Sequence, residues 1–358
     1  MYRIGIDLGG TNIAAGLVSE SMAIVDKTSV KTNIPRSMES IVDDMLKLIN
    51  TLISRNALSI DDIRSVGVGV PCTANQQNGH MEDANNLGFD DTPFLSLLAE
   101  KLTVPVFFDN DANVAAWGEY KYRNSQEKSL IMVTIGTGIG GGIILNDSLW
   151  SGINGAAGEF GHMTISSSEE PCNCGRKGCL EAAASAIALI SQARREMISN
   201  PHSVLWELCG GSLQNVEAKH VFDGAALGDK TCEVLLDKYT TVLSEGMANV
   251  INLFQPAVLC IGGGVSRAGE ALIDPLRTKT MQRIYSKNSK HNPRIELAML
   301  DMPELWNEQN NYSQYAKVGY DILWQLKEEG RLKSFLAPQW NPWKNADGMR
   351  MLTHMYID

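Results

Sequence analysis

The sequence predicts an α/β fold, and three observations predict it. A strand, a glycine turn and a second strand occur at residues 3–18 and again at 129–145. Strand-like apolar runs alternate with segments whose apolar residues recur at helical spacing. The chain has 358 residues, enough for two packed domains of ordinary size.

The elements follow in order. Residues 3–8 and 13–18 read as strands flanking Gly9-Gly10, and 23–31 as a third. Ile41, Met45, Leu48, Ile49 and Leu52 mark a helix over 41–53. Residues 65–70 and 104–108 read as short buried strands and 112–122 as a helix. The second unit runs 129–135, then Gly136-Thr137-Gly138, then 142–145, a weak internal repeat of the first. Residues 182–197 are alanine-rich and helical, 243–253 form a further helix, and 257–261 form a strand entering Gly262-Gly263-Gly264. The last sixty or so residues differ in character: Trp306, Trp324, Trp340 and Trp343 lie there, with helical spacing over 314–327.

Composition narrows the function. The hydrophobic fraction is 44% and the net charge is −10, with basic residues scattered. No basic face for nucleic acid is expected. No run reaches the roughly 20 apolar residues of a membrane span. Residues 1–3 lead directly into a strand, so no signal peptide is expected. Of seven cysteines, three crowd between 172 and 179, which suits reduced cytoplasmic thiols and a metal better than disulfides.

Six motifs carry chemistry. In Asp7-Leu8-Gly9-Gly10-Thr11-Asn12 a carboxylate at a strand end precedes a turn whose N–H groups can approach a phosphate. Asp7 suits Mg²⁺, directly or through water; the plainer reading is a hairpin with a polar tip. Gly136-Thr137-Gly138-Ile139-Gly140-Gly141-Gly142 repeats the device, and two such loops favour a phosphate clamp over a flexible hairpin. Asp109-Asn110-Asp111-Ala112-Asn113 places four Asp or Asn residues where one would cap a helix. A carboxylate there can take a proton from a hydroxyl, and Asn110 can hold a neighbouring one.

His162 with Cys172, Cys174 and Cys179 makes a complete tetrahedral zinc set with no open position, so the ion would be structural. Glu159 and Glu181 flank that set and suit a polyhydroxylated ligand or support for the metal. His162 could bind zinc with one ring nitrogen and face a ligand with the other. Gly262, Gly263 and Gly264 would let an adenosine lie against the backbone, or form a plain strand-to-helix turn.

Together these motifs resemble the ROK family of sugar kinases and sugar-responsive repressors, in the family's order over roughly residues 1–300. The match comprises the DLGGTN opening, DNDAN, GTGIGGG, the stretch from Gly152 to His162, the CxCGxxGCLE knuckle and IGGG, and it is closest to the ATP-dependent glucokinases. The resemblance implies an actin-like ATPase (ribonuclease H-like) fold, with a smaller N-terminal domain (1–115) and a larger C-terminal domain (116–300, knuckle 162–179) around a cleft. It implies Asp111 as catalytic base. Asn86, Asn110, Glu159, His162 and Glu181 would contact the sugar, and Cys72 would border it. Asp7 would sit near Mg²⁺, with Gly9, Gly10, Thr11, Asn12, Gly136, Thr137 and Gly138 around the ATP phosphates. Glucose phosphorylated at O6, a place in glycolysis and a cytoplasmic homodimer follow as expectations. Kinases for N-acetylmannosamine, mannose, fructose or allose remain open.

Two departures stand out. The family carries Pro-Gly where this chain has Pro71-Cys72. After residue 300 the family continues into a GNDAG-type loop and a closing helix, whereas this chain reads Asp301-Met302-Pro303-Glu304-Leu305-Trp306 and an unrelated tail to 358. A helix over 314–327 is the expected replacement, and a sugar-binding protein without turnover is the alternative. A repressor is disfavoured, because the DLGGT turn begins at residue 7 and the charge is acidic.

Overall fold

The computed structural model describes residues 1–20, 23–84, 87–123 and 126–300. The helix expected over 314–327 lies outside them. The chain divides into two compact units. Among the described residues, the first holds 1–123 and 149–157 and the second holds 126–148 and 158–300.

The first unit contains β1 (Tyr2–Leu8), β2 (Asn12–Val18), β3 (Ile24–Lys31), α1 (Met38–Arg55) and β4 (Ile63–Val70). A hairpin of β5 (Thr73–Asn75) and β6 (His80–Glu82) follows, then α2 (Phe94–Ala99), β7 (Val106–Asn110) and α3 (Asp111–Arg123). The sheet order is β3-β2-β1-β4-β7. β1 pairs antiparallel with β2 and parallel with β4, and β4 pairs parallel with β7. β4 is buried along almost its whole length, as a central parallel strand should be. Helix α1 begins at Ser37, whose side chain accepts from the Ser40 N–H. It buries the five apolar residues that its spacing marks, Ile41, Met45, Leu48, Ile49 and Leu52. These join Ile4, Ile6, Val66 and Val68 in one core.

The second unit repeats the plan. It contains β8 (Ser129–Ile135), β9 (Ile139–Leu145), α4 (Leu180–Ala184), α5 (Ala186–Ser199), α6 (Leu205–Leu208), α7 (Ala218–Ala226), α8 (Lys230–Phe254), β11 (Val258–Gly262), α9 (Glu270–Arg283) and β12 (Arg294–Leu297), and the division between the units falls within the two-residue β10 (Ser148–Leu149). The order β10-β9-β8-β11-β12 matches the first sheet strand for strand, with β8 antiparallel to β9 and parallel to β11, and β11 parallel to β12. The weak repeat of glycine turns is thus the trace of two sheets with one topology.

Several boundaries differ from expectation for physical reasons. The strand expected from Gly142 begins earlier, at Ile139, so Gly140 and Gly141 also belong to β9. A Cβ at Gly141 would overlap the Phe160 ring, so the glycines make room for the segment packed on that strand. The helix expected over 182–197 is two helices, because the Ser185 side chain accepts from the Ala188 N–H and starts α5 anew. Helix α8 extends N-terminal of residue 243, back to its cap at Asp229. The expected domain boundary at residue 115 falls inside α3. No described helix is long and apolar enough to cross a membrane.

Candidate active site

In the first unit the candidate residues gather at the C-terminal ends of β1, β4 and β7. Asp7 pairs with Gly69, and Gly69 pairs with Asp109. A Cβ at Gly69 would come within 3.6 Å of the Asp111 Cα. Glycine in a buried strand signals such an approach, and it is the sequence feature that could have added Gly69 to the site. Burial, and then the Asp111 carboxylate, push the Asp7 carboxyl up to about 8. Burial raises Asp109 to about 6 against the pull of its bonds from Asn113 Nδ2 (3.0 Å) and the Asn110 N–H (2.7 Å).

Asp111 is the first residue of α3 and is exposed. Asn110 holds that helix start: its Oδ1 accepts from the N–H groups of Ala112 at 2.9 Å and Asn113 at 3.2 Å. Its Nδ2 donates to the Cys72 carbonyl at 3.1 Å. An amide nitrogen carries two hydrogens, so one stays available for a ligand. Cys72, expected to border the sugar, is 6% exposed and packs its thiol in the core. Burial, and then Asp111, push that thiol up to about 12. Asn86 lies outside the described residues.

The turn after β1 is closed by a bond from the Gly9 N–H to the Asn12 carbonyl at 2.9 Å. Gly10 and Asn12 are half-buried and Thr11 is exposed. Thr32, which the sequence did not single out, is fully buried and bonds to this turn twice: Oγ1 to the Gly9 carbonyl at 2.6 Å, and N–H to the Thr11 carbonyl at 2.9 Å.

In the second unit the corresponding turn joins β8 to β9, with the Gly136 N–H donating to the Gly138 carbonyl at 2.9 Å and Thr137 exposed at its tip. The α4–α5 junction grips it. Glu181 Oε2 accepts from the Ile139 N–H at 2.8 Å, and the Ala186 N–H donates to the Gly136 carbonyl at 2.9 Å. A Cβ at Gly138 would overlap Glu181 Oε2. Glu181, expected at the sugar, therefore has one oxygen tied to the turn.

Of the three glycines after β11, Gly262 ends the strand beside Thr134. Gly263, at φ +86°, presses on the Ile135 backbone, where a Cβ would lie 2.6 Å from the carbonyl oxygen. Gly264 has open space where a Cβ would be, the feature a flat ligand approach requires.

The knuckle brings His162, Cys172, Cys174 and Cys179 together, with all four ligand atoms within 4.8 Å of one another. Cys174 Sγ lies 3.6 Å from Cys179 Sγ, and Cys172 Sγ lies 3.7 Å from His162 Nδ1. A tetrahedral ion with bonds of about 2.3 Å to sulfur spaces neighbouring sulfurs by about 3.8 Å, so the set suits zinc. Backbone bonds shape the knuckle, among them the Cys172 N–H to the Arg176 carbonyl at 2.8 Å and the Gly178 N–H to the Glu170 carbonyl at 3.0 Å. His162 Nε2 faces the other way, 3.9 Å from Glu159 Oε2. Partial burial raises the Glu159 carboxyl; His162 opposes the shift and Glu181 adds to it.

Comparison with known proteins agrees with this geometry. The ROK family profile matches residues 3–302. A glucokinase of Thermotoga maritima is 35% identical over 286 residues, covering 78% of this chain and 87% of that protein. A xylose repressor of Caldicellulosiruptor bescii is 29% identical over 83% of this chain and 74% of its own length. The crystal structure of a ROK glucokinase from Streptomyces griseus, in complex with glucose and AMPPNP, superposes with a TM-score of 0.77 at 30% identity, covering 90% of this chain and 99% of that one. The two matching sheets are those of an actin-like ATPase fold, and the chain belongs to the ROK family.

Proposed function

We propose that this chain is an ATP- and Mg²⁺-dependent hexose kinase that converts glucose to glucose 6-phosphate with Asp111 as general base. The observation that carries the reading is the meeting of Asp7, Gly69 and Asp111 beside the Gly9–Asn12 turn. A carboxylate at a helix start, next to a second carboxylate and a phosphate-sized turn, is what hydroxyl phosphorylation requires. Kinship to glucokinases supports sugar as acceptor and glucose as the preferred one.

In this reading Asp111 accepts the proton of O6 as that oxygen bonds to the γ-phosphorus. The bond from that phosphorus to the bridging oxygen breaks, and ADP leaves. General-base help of this kind contributes about a hundred- to ten-thousand-fold in rate. Asn110 gives its free Nδ2 hydrogen to a sugar hydroxyl, Glu159 and Glu181 accept from others, and His162, with Nδ1 turned to the cysteine ligands, donates from Nε2. Asn86 and Cys72 complete the sugar set, Cys72 through the carbonyl that orients Asn110. Gly10, Thr11 and Asn12, with Thr137 and Gly138, offer N–H groups to phosphate oxygens, Gly136 shapes the second turn through its bond to the Gly138 carbonyl, and Gly262 to Gly264 flank the adenosine.

Asp7 is the carboxylate that fits Mg²⁺: it is a hard oxygen donor whose ionised form burial and Asp111 disfavour, and a divalent cation would restore it. The ion would supply charge neutralisation at the phosphates. Zinc held by His162, Cys172, Cys174 and Cys179 would be structural, with no open position. A cytoplasmic homodimer acting on free sugar belongs to the same reading.

The test is sugar-dependent ADP release with Mg-ATP across glucose, mannose, N-acetylmannosamine, N-acetylglucosamine, fructose and allose. Turnover with glucose above the rest supports the full reading. Turnover with another sugar keeps the kinase and changes its substrate, and turnover with none removes the kinase.

A further inference from the structure

The nucleotide turn of the first unit is held from behind by one residue. Thr32 lies just past β3, and the β2–β3 hairpin brings it beside the Gly9–Asn12 turn. It is fully buried, and its two polar donors are both spent on this turn. Oγ1 reaches the Gly9 carbonyl at 2.6 Å and the N–H reaches the Thr11 carbonyl at 2.9 Å.

A peptide unit is planar and trans, so its C=O and N–H point in opposite directions. Fixing the Gly9 carbonyl toward Thr32 therefore turns the Gly10 N–H away from Thr32. Fixing the Thr11 carbonyl does the same for the Asn12 N–H. Two of the N–H groups assigned to phosphate thus take their direction from a residue that touches no ligand. Without the hydroxyl, the Gly9 carbonyl would have to find another donor, and the peptide that carries the Gly10 N–H would be free to rotate.

We infer that Thr32 is a positioning residue for the nucleotide phosphates, acting through its hydroxyl on the Gly9–Gly10 peptide. The inference rests on the kinase reading. It predicts an effect confined to the nucleotide, because the sugar residues Asn110, Glu159 and His162 receive no bond from Thr32.

The experiment measures Mg-AMPPNP binding by calorimetry, together with KM for ATP and for the sugar, in full-length wild type, Thr32→Val and Thr32→Ser. Valine keeps the shape and the backbone N–H bond while removing the hydroxyl; serine keeps the hydroxyl. The expected result is a rise of about 5- to 50-fold in the Mg-AMPPNP Kd and in the KM for ATP with Thr32→Val. The sugar KM should stay within about twofold, and Thr32→Ser should return to within about threefold of wild type. Circular dichroism and the melting temperature establish that each variant is folded. A folded Thr32→Val with unchanged nucleotide affinity overturns the inference and leaves the kinase reading standing. Equal losses for sugar and nucleotide, or no rescue by serine, also overturn it. A folded wild type that binds no nucleotide overturns the inference and the kinase reading together. If Thr32→Val does not fold, the serine variant decides: it must match wild type for the hydroxyl to be what matters, and a loss of nucleotide affinity there refutes it.

Discussion

The Glu181 carboxylate lies against the backbone of the turn after β8, with Oε2 2.8 Å from the Ile139 nitrogen, in the place that a side chain at residue 138 would occupy. Glu181 follows Cys179 by two residues at the start of α4, so the knuckle that carries the candidate metal ligands also aims a carboxylate at the second glycine turn.

Gly138→Ala should therefore displace Glu181. The expected outcome is a loss of about tenfold in nucleotide affinity, the scale of one charge-assisted hydrogen bond. The double variant Gly138→Ala/Glu181→Ala should be no worse than Glu181→Ala alone, because the three atoms nearest to the added methyl group all belong to the Glu181 side chain that the second substitution removes. Calorimetry on the four proteins closes the cycle, and additive losses would show that the two residues do not interact.

The raised Asp7 carboxyl makes a statement about stability. Its folded value of about 8 exceeds the unfolded value of about 3.8. Between these limits the folded state holds a proton that the unfolded chain has released. That contribution is fully present below the lower limit and is lost as pH rises through the upper one. The metal-free protein should lose up to about 1.4 kcal/mol per pH unit from this group across the window. Mg²⁺, which takes the ionised form, should raise the melting temperature more at pH 8 than at pH 6. Asp7→Asn should flatten both trends, and equal slopes in wild type and variant by thermal melts would refute the assignment.

Metal analysis of the purified protein should find zinc at about one ion per chain, the stoichiometry of a closed four-ligand site. Cys172→Ser should release it and lower the melting temperature by several degrees, since the binding energy of a structural ion is folding energy. Full zinc occupancy in that variant would remove Cys172 from the ligand set.

Cys72→Gly restores the residue that the resemblance leads one to expect. Because the thiol is buried, the substitution should cost about 1–2 kcal/mol through the vacated volume and the added backbone freedom. The Asn110 bond is to the Cys72 backbone, so the sugar KM should move less than about threefold. A large change in sugar preference would place the side chain at the substrate after all.

What the sequence made legible follows from range. Turns announce themselves locally, because only glycine allows the close approaches at residues 9 and 138, and α1 announced its buried face through spacing. The knuckle was legible because its three cysteines and its histidine lie within one short stretch. Thr32 was not, since a threonine at a strand end looks ordinary until the β2–β3 hairpin sets it beside residues 9 and 11. The bond between Glu181 and Ile139 spans distant segments that no local pattern connects. Ser185 was missed because alanine-rich sequence on both sides hid a cap inside one apparent helix. Gly141 was left out of the expected strand because its partner, Phe160, comes later in the chain.

The central claim is that Asp111 takes a proton from a sugar hydroxyl. Initial-rate kinetics of glucose phosphorylation with Asp111→Asn tests it most directly. The account predicts that kcat falls about a hundred- to ten-thousand-fold, while the KM for Mg-ATP stays within about threefold and the melting temperature does not fall. A variant that retains wild-type kcat would contradict the account, because no other residue is assigned to that proton.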